Sequence, residues 1–216
     1  MKHRLPFHVE NQMKKNLGTH DFTKEYPPSA KVFDSLKEAF HISQEEVCQM
    51  QQDTRFSGST CVSVMTMGRK IYMANVGDSR GIVIKSLGEL PANNTDPAAA
   101  GLNCGCTALT RDHKTDDEDE AQRILQNNGR IDSYRDQNGK QLGPLRVWLK
   151  NEDVPGLAMT RSFGDGMAHS VGCNAEPEMN EYQFTKEDKV VVIASDGVWE
   201  FLENIDVSKI VYPFYL

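Results

Sequence analysis

The sequence predicts an α+β domain, and three observations carry that expectation. A helical apolar period fills the N-terminal part of the chain, a series of short β-branched runs follows it, and two further strand candidates precede a last helix-like stretch. In the first helix candidate Leu5, Val9, Met13 and Leu17 fall on one stripe. The stretch "SAKVFDSLKEAFHISQEEVCQM" repeats the pattern with Val32, Phe33, Leu36, Phe40, Val47 and Met50. Pro27-Pro28 separates the two, and Ser29 reads as an N-cap.

The texture then changes to "STCVSVMTM", "KIYMANV" and "RGIVIKS", a strand meander punctuated by Gly68-Arg69 and "GDS". Residues 87–106 are turn-rich without apolar period and read as an exposed insertion. The acidic run Asp116 to Glu120 precedes Ala121, Ile124 and Leu125 and reads as the solvated first turn of a helix, its charge favoured by the helix dipole. Asn127, Asn128 and Gly129 close that helix. Residues 131–155, broken by Gly139, Gly143, Pro144 and Pro155, read as an irregular, flap-like segment. "MNEYQF" and "KVVVIAS" supply the last two strands, and "ENIDVSKIVYPFYL" begins a helix.

At 216 residues the chain fits a single domain spanning 1–216 with a substantial core. A formal net charge of -7 argues against nucleic acid and against an anionic membrane as partners. The five cysteines form no C-x-x-C set, and their odd number fits free thiols in a reducing, cytoplasmic setting. Cys104 and Cys106 are too closely spaced for a zinc knuckle. No apolar run is long enough to span a bilayer, and the N-terminus lacks an apolar signal core. No fixed-period repeat occurs.

The chemistry is expected at carboxylates that end elements. "KVVVIASDGVWE" runs from an unbroken apolar strand, read as buried on both faces, straight into Asp196-Gly197. Asp196 either caps the following helix or binds a metal or substrate, and Gly197 allows a sharp turn there. Glu200 follows four residues later on the same helical side. Two carboxylates about 4 Å apart repel by about 4 kcal/mol at an effective dielectric near 20, which a divalent cation reverses. Oxygen-only ligand sets suit Mg²⁺ or Mn²⁺. Asp112 in "LTRDHK" and Asp165 in "RSFGDG" occupy similar positions. His113 reads as a hydrogen-bonding scaffold residue in preference to an acid-base group. Arg80 and Arg161 read as internal braces in preference to phosphate ligands.

In this order, "GSTCVSVM", "YMANVGDSRGIV", "LTRDHK", "NNGRI", "LAMTRSFGD" and "VVIASDGVWEFL" closely resemble successive motifs of the PPM family of metal-dependent protein serine/threonine phosphatases, the type 2C class. The resemblance covers roughly Ser57 to Leu202 and implies a four-layer α/β/β/α sandwich of antiparallel sheets flanked by helices. It implies hydrolysis of phosphoserine or phosphothreonine in phosphorylated protein substrates, by water bridging two Mg²⁺ or Mn²⁺ ions. Asp196 matches the family's "DG" aspartate of the metal centre, which favours ligation over capping. Asp112 and Glu200 match ligands of a weaker third metal, and residues 131–155 match the flap beside the substrate groove. No catalytic residue proper is matched, because the family's N-terminal phosphate-binding Arg, its "DGHGG" stretch and its late "DN" ligand have no counterpart here. The resemblance thus describes a domain incomplete at both ends, with little activity expected of residues 1–216 alone and a monomer expected of the complete domain. The alternative is a non-catalytic truncated phosphatase domain that serves as a binding module.

Overall fold

The computed structural model describes residues 3–21, 24–88 and 103–215. They form an α+β fold of helices and small antiparallel sheets and divide into two compact units. One unit holds Met1–Cys61, Val76–Asp78 and Asp112–Pro177, and the other Val62–Asn75, Ser79–Arg111 and Glu178–Leu216.

The first unit opens with helices α1 (Arg4–Leu17) and α2 (Ser29–Cys48), where the apolar period placed them. Leu5 and Leu17 of α1 and Val32, Leu36, Ala39, Phe40 and Val47 of α2 are buried. Met50, expected on the same stripe, lies beyond the helix end and is exposed. His8 of α1 meets Glu46 of α2 at 2.9 Å and Asn16 donates to Ser35 at 2.9 Å, so the helices run antiparallel. Phe40 reaches Phe163 with ring centroids 5.3 Å apart, and the Gly164 N–H donates to Gln44 Oε1 at 2.9 Å. These contacts dock α2 on the two-stranded pair of β1 (Gly58–Ser59) and β9 (Phe163–Gly164).

Residues 131–155 are not an irregular segment. They belong to an antiparallel sheet of β6 (Gly129–Arg135), β7 (Gln141–Leu149) and β8 (Pro155–Leu157). Gly139 and Gly143 have φ of 78° and 75°, so they serve a hairpin turn and the opening of β7 that other residues would strain. The sheet packs on helix α3 (Glu118–Gln126) and the short helix α4 (Gly166–His169) through Ile124, Val147, Ala168, Val171 and Cys173. Helix α3 ends at Asn127, and Asn128 takes the left-handed φ of 61° before β6 begins.

The second unit is built from two three-stranded antiparallel sheets. One has the order β10 (Glu178–Gln183), β3 (Lys70–Val76), β2 (Cys61–Met67), and the other β11 (Asp188–Ala194), β4 (Arg80–Ser86), β5 (Cys104–Ala108). Alternation along β4 sends Val83 into the core shared with Ile71 and Met73 of β3 in the other sheet and with Leu109, which follows β5, and Val191 of β11 joins it. Ile82, Ile84, Val190 and Val192 point the other way, onto Trp199, Val207 and Tyr212 of the C-terminal helical segment. Both faces are therefore packed, which explains the unbroken apolar run of β11. As an edge strand β11 remains only half-buried, and Ile193 is exposed.

Residues 89–102, most of the expected insertion, lie outside the described residues. Its end was misread: Cys104 and Cys106 belong to β5, paired with Ser86 and Ile84 of β4, and Cys104 is buried. All five cysteines are free. Among the described residues no helix is long and apolar enough to cross a membrane.

Candidate metal and phosphate site

The end of β11 sets the position of the first candidate. Ala194 closes the strand opposite Arg80, Ser195 is extended, and a single helical turn α5 (Asp196–Trp199) follows. Trp199 locks this turn in place, since its indole Nε1 donates to the carbonyls of Ala194 at 2.8 Å and Arg80 at 3.1 Å. Arg80 stacks its guanidinium over the Trp199 ring, 5.3 Å from the centroid, and donates to Asn204 Oδ1 at 2.7 Å. That bracing role is the one its neighbourhood in the sequence indicated.

Asp196 is the first residue of α5, and the turn has no side-chain cap. The Glu200 N–H donates to the Asp196 carbonyl at 2.8 Å, so their side chains leave the helical turn on one side. Both residues are exposed. The desolvated carboxylate expected at a buried strand mouth is not what forms, because the strand ends at an open edge of the sheet. Among the described residues neither carboxylate makes a side-chain hydrogen bond or ion pair. Gly197 is also ordinary here, for a Cβ on it would meet only Ser195 Oγ at 3.5 Å. A cavity of about 670 Å³ adjoins the turn, lined among others by Arg80, Cys106, Trp199, Glu200 and Asn204.

Asp112 lies in the other unit, on an irregular stretch leading to α3. Its carboxylate and that of Asp78 both stand 3.9 Å from Lys114 Nζ, and their side chains are 12% and 6% exposed. Asp78 is absent from the candidates that sequence spacing offers, because nothing local announces that "GDSRG" returns beside "RDHK". His113 is fully buried and accepts the Gly77 N–H on Nδ1 at 3.0 Å, which leaves the proton on Nε2. It is a scaffold residue, as expected. Asp165 sits in a left-handed turn with φ 46° and ψ 46°, its N–H donating to Ser57 O at 2.9 Å and its carboxylate covering Gly58.

The acidic run holds the largest departure from expectation. Glu118 and Asp119 are solvated, but Glu120 is fully buried. It accepts from Arg123 Nη1 at 2.8 Å and Nη2 at 2.6 Å, from Arg161 Nε at 3.0 Å and Nη2 at 2.6 Å, and from the Thr160 hydroxyl. Burial pushes the Glu120 carboxyl up, and the Arg123, Arg161 and Thr160 bonds more than reverse this, holding it well below the usual carboxylate range. The signal was present in the spacing: Glu120 and Ile124 are one turn apart, so they share the buried face of α3.

The described residues form an α+β fold of helices and small antiparallel sheets, with two exposed carboxylates at the end of β11. The family model for protein phosphatase 2C matches residues 5–213, and the chain belongs to that family. It is 34% identical over 174 residues to "Probable protein phosphatase 2C 72" of Arabidopsis thaliana, covering 81% of this chain and 48% of the relative. It is 39% identical over 155 residues to "Probable protein phosphatase 2C 64" of Oryza sativa subsp. japonica, covering 72% of this chain and 33% of the relative. The chain thus spans half or less of the length of these relatives. Among solved structures, the serine-threonine phosphatase 2C of Toxoplasma gondii shares the fold with a TM-score of 0.72 at 18% identity, over 97% of this chain and 68% of that one.

Proposed function

We propose that this chain is part of a metal-dependent phosphatase that hydrolyses phosphoserine and phosphothreonine in proteins, with Asp196, Glu200 and Asp112 as oxygen ligands for Mg²⁺ or Mn²⁺. The observation that carries the reading is the Asp196 and Glu200 pair, one turn apart, exposed and, among the described residues, without side-chain partners. An all-carboxylate donor set suits a hard cation that keeps several of its waters. Two carboxylates leave most of an octahedral shell to water or to other groups, and among the described residues no cluster of three or more His, Cys, Asp or Glu is assembled. Asp196 and Glu200 therefore fit one partly hydrated ion at α5, and Asp112, in the first unit, is assigned by the likeness of its "RDHK" stretch to the family. A divalent cation there supplies charge that polarises a phosphoryl oxygen and makes water more acidic.

The chain's own residues do the positioning. Trp199 and Arg80 fix the turn from beneath, so Asp196 and Glu200 project from a rigid strand end beside the cavity. Phosphorylated proteins are the substrates this reading assigns, together with a reducing compartment, the cytoplasm, a reading that the five free thiols support. The test is the protein expressed from its full reading frame with Asp196→Asn, assayed on a phosphothreonine peptide in saturating Mn²⁺. Turnover should fall to background. Full activity of the variant would overturn the assignment.

A further inference from the structure

We infer that Glu120 and Thr160 are positioning residues that hold Asp112 in place through the backbone, an inference resting on the reading of Asp112 as a metal ligand. Every link lies within the first unit. The Thr160 hydroxyl donates to Glu120, which Arg123 and Arg161 clamp from two sides. The Thr160 backbone N–H donates to the carbonyl of His113 at 2.9 Å, the residue next to Asp112. His113 then exchanges two bonds with Gly77: it donates its N–H to Gly77 O at 3.1 Å and accepts the Gly77 N–H on Nδ1 at 3.0 Å.

Gly77 completes the lock with φ +101°, and a Cβ there would stand 3.1 Å from the Arg161 carbonyl and clash with Thr60. Residues 76–78, 112–114 and 160–161 are thus bound into one assembly whose base is the Glu120 clamp. The segment carrying Asp112 has no helix or strand of its own, so these bonds contribute to where its carboxylate stands. The same assembly carries Asp78, at the same 3.9 Å from Lys114 as Asp112. A weak oxygen ligand is sensitive to placement, because misdirection of one carboxylate removes a large share of the few protein donors.

The test is Thr160→Val in residues 1–216, which keeps the side-chain shape, removes the hydroxyl and leaves both Arg pairs on Glu120. Free Mn²⁺ is followed by electron paramagnetic resonance. The Mn²⁺ dissociation constant should rise about tenfold, the lower range for loss of an outer partner of a ligand. Thr160→Ser should restore it. Ser43→Ala removes another buried hydroxyl bond of the same unit, to the Ala39 carbonyl at 2.7 Å, and should lower stability while leaving Mn²⁺ affinity unchanged. Should Thr160→Val fail to fold, Arg161→Lys loosens the same clamp and reads the same constant. Unchanged Mn²⁺ affinity in the folded variant overturns the inference when Asp112→Ala weakens binding. Unchanged affinity in Asp112→Ala itself would instead overturn the ligand assignment.

Discussion

Glu120→Gln should be among the most destabilising single substitutions in the chain. Five donors converge on the two Glu120 oxygens, three on Oε1 from Arg123 and Arg161 and two on Oε2 from Arg123 and Thr160. Glutamine offers one oxygen and turns an NH₂ toward donors. In the gentler orientation the NH₂ takes the Oε2 place and opposes Arg123 Nη2, while Thr160 rotates its hydroxyl to accept. The guanidiniums retain the carbonyls of Gly172, Thr160 and Glu176 at 2.8, 3.0 and 2.8 Å, but lose their buried counter-charge. Removing one partner of a buried pair costs about 3–5 kcal/mol. The Arg123 side chain, 25% exposed, gains some relief from water, which places the expected loss near the lower end, about 3 kcal/mol.

The assay is urea unfolding followed by tryptophan fluorescence, since Trp148 reports the first unit and Trp199 the second. The loss should appear in the Trp148 transition. The pH dependence has a definite sign. The folded carboxyl is depressed, so its stabilisation is fully present above the unfolded value near about 4.3 and is lost as pH falls through the folded value. The gap between wild type and Glu120→Gln should therefore be widest above about pH 4.3 and narrow below it. A loss below about 1 kcal/mol at pH 7, the range of exposed ion pairs, would refute the clamp as a structural base.

Three further outcomes are expected. Glu200→Ala should leave the metal-free melting midpoint unchanged within about 0.5 kcal/mol, as for a surface residue, while reducing the stabilisation by Mn²⁺; an equal shift with and without metal would make its role structural. Gly77→Ala should lose about 2 kcal/mol in urea unfolding through its positive φ and the crowding by Thr60, and a neutral result would show that the 76–78 segment moves freely. Residues 1–216 alone should show little phosphopeptide turnover in millimolar Mn²⁺, because two carboxylates on one turn cannot hold two ions about 3.5 to 4 Å apart; turnover matching a complete relative would mean that other ligands are supplied from within the chain.

Local patterns were the legible part of the fold. Helices α1 and α2 and strands β2, β3, β4, β10 and β11 follow from apolar periods of helix or strand type, since each buries a face that sequence spacing alone defines. Residues 131–155 were misread because Gly139 and Gly143, which make the hairpin possible, resemble the punctuation of a loop. The buried face of Glu120 was legible in its spacing to Ile124, but its partner was not, since Arg161 lies 41 residues away and an acidic run carries no mark of a distant guanidinium. At the site, position was legible and environment was not: "ASDG" marked the strand end, while the open edge of β11 is a property of sheet order.

That difference sorts the carboxylates by what the fold asks of them. Glu120 is fully enclosed and holds five donors, so stability depends on its charge. Asp196 is held at a fixed point by its backbone and by Trp199, while its side chain does not cap α5 and, among the described residues, meets no cationic side chain. A carboxylate that contributes nothing to its own turn can be changed to Asn without strain, and its charge is free for a ligand. Substitution at 196 should therefore remove turnover at unchanged stability, whereas substitution at 120 should lower stability first and metal binding through it. The two readouts separate in the same pair of experiments, urea unfolding and Mn²⁺ titration, and a reversed pattern would mean that the strand-end turn, not the buried clamp, holds the fold together.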